Sequence, residues 1–131
     1  ALTESTLIRE NFPALHKAAV STASETIQRR GTIGGNILQD TRCSHYNKSE
    51  NWRKAFKSCL KMGGESCNVI KGAKKCLSVY CGDLAPALLS LDASVVIMNF
   101  DGEREHPLEN IFTGDGNSPF SLSESDFLKE I

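Results

Sequence analysis

Apolar residues recur at helical spacing near the start of the chain, where Leu7, Ile8, Phe12, Leu15 and Ala19 fall on one stripe. Proline is tolerated in the first turn of a helix and not in its interior, so Pro13 divides the stripe. Two short helices are predicted, over residues 4–10 and 13–22, with the stripe facing the core. From Gln28 to Asn36 the chain reads QRRGTIGGN, and three glycines in so short a run break helix and strand alike. A tight backbone turn is expected there. Residues 40–82 show no strong period, apart from a short helix predicted over 51–60. A loop of about 40 residues is unusual inside a compact domain, so something other than a hydrophobic core must hold it.

Regular patterning resumes at Asp83, which is placed to cap a helix over 84–91 with Pro86 in its first turn. Val95, Val96 and Ile97 mark a strand over 94–99. Asp101-Gly102 signals a two-residue hairpin, with 103–107 returning beside the first strand. A short turn or helix over 108–112, a loop over 113–121 and a strand from 127 complete the reading. The fold class is α+β: a mixed or antiparallel sheet flanked by helices, interrupted by a long cysteine-rich loop. Helical pattern already runs from Leu2, and Ile131 falls inside a predicted strand. The chain is therefore expected to be a piece of a longer polypeptide.

Composition is ordinary for a globular protein, 40% hydrophobic and 24% charged. A net charge of −1 argues against a dedicated nucleic-acid binder. The longest apolar runs, such as 84–89 and 95–98, are too short to span a bilayer, and no signal-peptide pattern opens the chain. Neither a nucleic-acid nor a membrane partner is expected. Charge is unevenly spread: residues 41–80 carry nine Lys and Arg against two Glu, a basic island in an acidic chain. All five cysteines lie in that island or at its edge. An odd number does not suit a closed disulfide framework. Structural zinc prefers closely spaced pairs, and Cys76-x4-Cys81 is the single close one. From spacing alone an iron–sulfur cluster, zinc, and disulfides or free thiols all remain open.

The glycine run has its own chemistry. Glycines without a Cβ can reach φ > 0 and let main-chain N–H groups converge on an anion. Thr32 and Asn36 add side-chain donors, and Arg29 and Arg30 add positive charge. This suits a diphosphate, although the spacing is neither of the two common phosphate-loop patterns, and an ordinary turn is the alternative. Elsewhere, His45 is expected to be an exposed loop histidine, Trp52 and Phe56 to pack the cysteine segment, and the acidic residues of 124–130 to form a solvated face. No Ser–His–Asp or Cys–His hydrolytic arrangement is visible, and no catalytic residue is expected.

The run Ile27-Gln28-Arg29-Arg30-Gly31-Thr32-Ile33-Gly34-Gly35-Asn36, then Asp83-Leu84-Ala85-Pro86-Ala87-Leu88, Leu91-Asp92-Ala93 and Gly102-Glu103-Arg104, resembles the FAD-binding subunits of the xanthine dehydrogenase and aldehyde oxidase family. The likeness covers nearly the whole chain in order. It implies the second subdomain of a two-part FAD-binding domain, with residues 1–131 all in that subdomain. It also implies that Thr32, Gly34, Gly35, Asn36 and Asp83 contact FAD, with Gln39 beside the cofactor and Leu128 against the isoalloxazine. Two departures stand out. Ile27-Gln28-Arg29 replaces the family's usual Ile-Arg-Asn, and the family's upstream glycine-rich diphosphate loop is not found here.

Family members mostly join the glycine turn to the Asp-Leu helix by a short link. The long link here, with Cys43-x15-Cys59-x7-Cys67-x8-Cys76, resembles the 4-hydroxybenzoyl-CoA reductase type, whose flavoprotein subunit carries a [4Fe-4S] insertion. The resemblance implies an inserted cluster loop over 41–82, with Cys43, Cys59, Cys67 and Cys76 as ligands and Cys81 a buried or half-buried free thiol. Gly63, Gly64 and Gly72 are expected to offer N–H groups to the sulfurs. It further implies an electron-transfer flavoprotein component, working with a molybdopterin-containing large subunit and a [2Fe-2S] small subunit in the cytoplasm. A ferredoxin-type donor or acceptor and an aromatic acyl-CoA substrate follow from the same likeness. A non-enzymatic domain stabilised by zinc or disulfides is the alternative.

Overall fold

Ser5 starts the first helix, its hydroxyl accepting from the Ile8 N–H at 3.3 Å. In the computed structural model, which describes residues 2–131, α1 covers Thr6–Asn11 and α2 covers Pro13–Ser21. Phe12 between them has φ −132° and ψ 60°, off the helical region as a residue before proline must be. Short helices α3 (Glu25–Gln28), α4 (Ile33–Ile37) and α5 (Glu50–Arg53) follow, then α6 (Ala85–Leu89). Strands β1 (Ser94–Asn99), β2 (Gly102–Pro107) and β3 (Phe127–Glu130) form one antiparallel sheet in the order β2-β1-β3. The predicted helix over 51–60 is cut to α5.

The chain divides into two compact units. Unit 1 comprises 1–39, 82–111 and 122–131; unit 2 comprises 40–81 and 112–121. Unit 1 holds the apolar core: Leu15, Ala19, Ile37, Leu84, Ala85, Leu88, Val95, Ile97, Leu108 and Ile111 are all buried. Val95 and Ile97 alternate along β1 onto one face, as a half-covered strand requires. Helix α2 packs on α6, and the single-turn helix Leu108–Ile111 packs on both α6 and β2. The N-terminal stripe is only partly core. Leu15 and Ala19 are buried, but Leu7 and Phe12 are exposed, because α1 packs mainly on α2 and the Leu2–Glu4 turn. Leu108 has no exposed surface. Leu108→Ala should lower unfolding free energy by about 2–5 kcal/mol, whereas Phe100→Ser, at a position 98% exposed, should change it by less than about 0.5 kcal/mol. Denaturant titration of the two variants measures the contrast.

The hairpin turn lies one residue earlier than its sequence signal. Asn99 pairs with Gly102, so Phe100 and Asp101 form the loop. Gly102 supplies the positive φ, 123°, that reverses the chain. A bulge between Val96 and Ile97 shifts the register against β3. Asp126, expected on a solvated acidic face, is instead an internal acceptor. It takes the Ser123 N–H at 2.9 Å, Asn99 Nδ2 at 3.0 Å and Arg104 at 3.2 Å. The Ser123 backbone bond chiefly holds its carboxyl below the usual 3.8, against the opposing effect of burial, with the Ser123 hydroxyl, Asn99 and Arg104 adding to it. A lowered value means the stabilisation is complete above pH 3.8 and is lost as pH falls through the folded value. Asp126→Asn should therefore melt below the parent at neutral pH, and the two curves should converge in acid. A gap that persists in acid would show that charge is not responsible.

Candidate functional site

Thr32 begins α4. Its Oγ1 accepts from the Gly35 N–H at 3.0 Å and its carbonyl from the Asn36 N–H at 3.0 Å. The expected tight turn is thus the first turn of a helix, and neither Gly34 nor Gly35 is among the positive-φ glycines. The threonine cap makes the helix possible where propensity alone would oppose it. Helix geometry leaves the N–H groups of Ile33 and Gly34 without intrahelical acceptors, and the hydroxyl hydrogen of Thr32 is free to donate outward. A Cβ on Gly35 would crowd Thr32 Oγ1 at 3.0 Å, and one on Gly34 would meet Leu128 Cδ2 at 3.5 Å. Leu128 on β3 therefore lies against the glycine turn.

Asn36 is buried, and its amide is engaged within the protein. Its Oδ1 accepts from the Leu84 N–H at 2.9 Å, and its Nδ2 donates to Asp83 Oδ2 at 3.5 Å. It ties α4 to the start of α6 rather than offering a free donor. Asp83 does not cap α6: Leu84 occupies that position without a side-chain cap bond. Asp83 stays exposed. Gln39, half-buried, follows α4 by two residues. Arg29 is paired with Glu25 at 2.7 Å. Thr32, Gly34, Gly35, Asn36, Asp83 and Leu128 thus form one neighbourhood of unit 1.

In unit 2, Cys43, Cys59, Cys67 and Cys76 all line one cavity of about 310 Å³. Cys59 and Cys76 are buried; Cys43 and Cys67 are half-buried. Three groups reach the sulfurs: the His45 N–H donates to Cys43 Sγ at 3.4 Å, the Ile70 N–H to Cys67 Sγ at 3.3 Å, and Ser78 Oγ lies 3.2 Å from Cys76 Sγ. Two of the three expected glycine donors are used otherwise, Gly63 N–H on the Leu60 carbonyl and Gly64 N–H on that of Cys59. Gly64 is required for a different reason, since a Cβ there would sit 1.8 Å from the Ser58 carbonyl oxygen. Cys81 does not line the cavity; it is half-buried and its thiol donates to the Val79 carbonyl at 3.4 Å.

His45 is buried, contrary to the sequence expectation. Its ring packs edge-on against Trp52 and Phe56, each at 5.4 Å between centroids, and Asn68 Nδ2 donates to its Nε2 at 3.0 Å. Both aromatics remain partly exposed and cover the histidine behind Cys43. Lys61 also escaped the sequence reading; no local pattern separates it from its exposed neighbours. Unit 2 has almost no apolar core: its buried residues are Cys59, Cys76, Thr41, His45 and Gly116, and the side chain of half-buried Lys61 is buried with them. A half-buried cluster of Tyr80, Phe112 and Phe120 supplements them.

No group of three or more His, Cys, Asp or Glu among the described residues is gathered tightly enough to hold a metal ion. The four thiols are instead spread around a space with the volume of roughly ten waters. No helix among the described residues is long and apolar enough to cross a membrane.

Known proteins resemble this chain. Over 118 residues the chain is 28% identical to the aldehyde oxidoreductase FAD-binding subunit PaoB of Escherichia coli (strain K12), covering 86% of this chain. The match spans only 37% of that relative's length. The family model for the FAD binding domain in molybdopterin dehydrogenase matches residues 1–131. With a capped glycine-rich helix start braced against an exposed aspartate, and with that match from end to end, the chain belongs to the family of FAD-binding domains of molybdopterin dehydrogenases.

Proposed function

We propose that this chain carries FAD and a [4Fe-4S] cluster in the electron-transfer flavoprotein component of a molybdenum-containing oxidoreductase. Four thiols around one cavity, in a unit with almost no apolar core, carry the cluster assignment. Cys43, Cys59, Cys67 and Cys76 would ligate the iron, and the His45 and Ile70 N–H groups would stabilise thiolate sulfur. In unit 1, the first turn of α4 would receive the FAD diphosphate on the Ile33 and Gly34 N–H groups and the Thr32 hydroxyl. Asp83, an acceptor only, suits a hydroxyl or amine of the cofactor rather than its phosphates. Leu128 flanks the same site, Gln39 would lie beside the cofactor, and Asn36 holds the two halves of the site in register. Bound FAD and cluster supply the electron transfer, while the chain orients and tunes them.

The partners of this reading are a molybdopterin-containing large subunit, a [2Fe-2S] small subunit and a ferredoxin-type donor or acceptor. The cysteine set favours the 4-hydroxybenzoyl-CoA reductase type, and so the reduction of an aromatic acyl-CoA such as 4-hydroxybenzoyl-CoA. Anaerobic purification of the full-length subunit, with iron, acid-labile sulfide and flavin measured, tests the assignment. Iron and acid-labile sulfide in equal amounts to each other, about four of each per flavin, are expected. Zinc alone would replace the cluster with a structural metal, and a flat flavin titration would remove FAD.

A further inference from the structure

The wall of the cysteine cavity includes a buried cation. The Lys61 side chain is only 6% exposed and lies two residues after Cys59. We infer that Lys61 is a positioning residue of the cysteine site: it clamps the segments bearing Cys43, Cys59 and Cys76 and raises the reduction potential of the group those thiols hold. Lys61 takes this role only if the four thiols ligate the cluster proposed above.

An ammonium has three donors, and here each finds a close acceptor. Lys61 Nζ donates to Asp40 Oδ1 at 2.6 Å, Thr41 Oγ1 at 2.6 Å and the Gly116 carbonyl at 2.8 Å. Each acceptor leads to a cysteine segment. Thr41 stands two residues before Cys43, and its Oγ1 is 2.6 Å from Ser78 Oγ, which contacts Cys76 Sγ. The Gly116 N–H donates to the Cys76 carbonyl at 2.8 Å. The ammonium thus joins three of the thiol-bearing segments through hydrogen bonds that need no metal. The Tyr46 ring, whose centroid lies 5.1 Å from Nζ, covers the cation.

Charge follows from the same placement. Reduction adds one electron, and therefore one negative charge, to the ligated group. A fixed cation in the wall stabilises the reduced form more than the oxidised one. Asp40 opposes this charge but is 63% exposed, so water screens it more strongly than it screens Lys61.

The test is an equilibrium redox titration of the full-length subunit, reconstituted anaerobically with ferrous iron and sulfide and followed by electron paramagnetic resonance. Lys61→Met should move the reduction equilibrium about tenfold toward the oxidised form, which for one electron is about 59 mV downward. Asp40→Asn keeps an acceptor for Lys61 and removes the opposing charge; it should move the equilibrium about threefold the other way. Lys71→Met, at an exposed position off the cavity wall, should leave it unchanged. Where Lys61→Met fails to retain the cluster, Asp40→Asn decides: an upward shift supports the assignment, and no shift overturns it. Unchanged potentials in loaded Lys61→Met and Asp40→Asn overturn the role of Lys61 alone. A parent protein that takes up no iron and sulfide overturns the cluster reading together with it.

Discussion

Cys59→Ser or Cys76→Ser should reduce iron and sulfide in the anaerobically purified full-length subunit to background, while Cys81→Ser should leave both at parental levels. Serine keeps the size of the side chain but loses the thiolate that iron requires. Cys59 and Cys76 line the cavity and are buried, whereas Cys81 lies off it and donates to the Val79 carbonyl. The consequence extends beyond the metal. Residues 40–81 bury two thiols, a threonine, a histidine and the Lys61 side chain where unit 1 buries ten apolar side chains. On the proposed assignment, metal binding would contribute folding free energy directly. Chelating the iron should speed amide exchange through 40–81 and leave β1 and α2 protected. Uniform loosening of both units, or retention of iron in Cys59→Ser, would contradict the ligand assignment.

Asn36→Leu should cost about 1–3 kcal/mol of stability and weaken FAD binding by about tenfold. The leucine has similar bulk but offers no acceptor, so the buried Leu84 N–H loses its 2.9 Å bond. The same change frees Asp83 from its amide contact and lets the starts of α4 and α6 drift apart. Asp83→Asn separates the two effects. It can still accept from Asn36, so stability should hold, yet it removes the exposed charge and should lower flavin affinity alone. Thermal unfolding and flavin titration of full-length apo-subunit read the two quantities independently. Loss of stability in Asn36→Leu with unchanged flavin affinity would place the α4–α6 junction outside the cofactor site.

Periodicity and punctuation located much of the regular structure. The two N-terminal helices appear where Pro13 divides them, and β1 covers the predicted residues. These are local effects: Pro13 acts through its own ring, and Val95 and Ile97 declare a half-buried strand by alternation. Local rules failed where a distant partner set the outcome. Glycine propensity argued against helix at Ile33–Ile37, but the Thr32 cap overrode it. Asp83 looked like a cap until Asn36, 47 residues earlier in the chain, engaged it.

The amino-acid sequence by itself determined the family, the α+β class and which four thiols to consider, because glycine, proline, aspartate and cysteine mark their chemistry where they stand. Only the tertiary structure decided that those four thiols share a cavity, that Lys61 is buried while its lysine neighbours are solvated, and that Asn36 is a brace. Such properties depend on which segments meet, and hydrogen-bond partners as far apart as Thr41 and Gly116 leave no periodic trace in the chain.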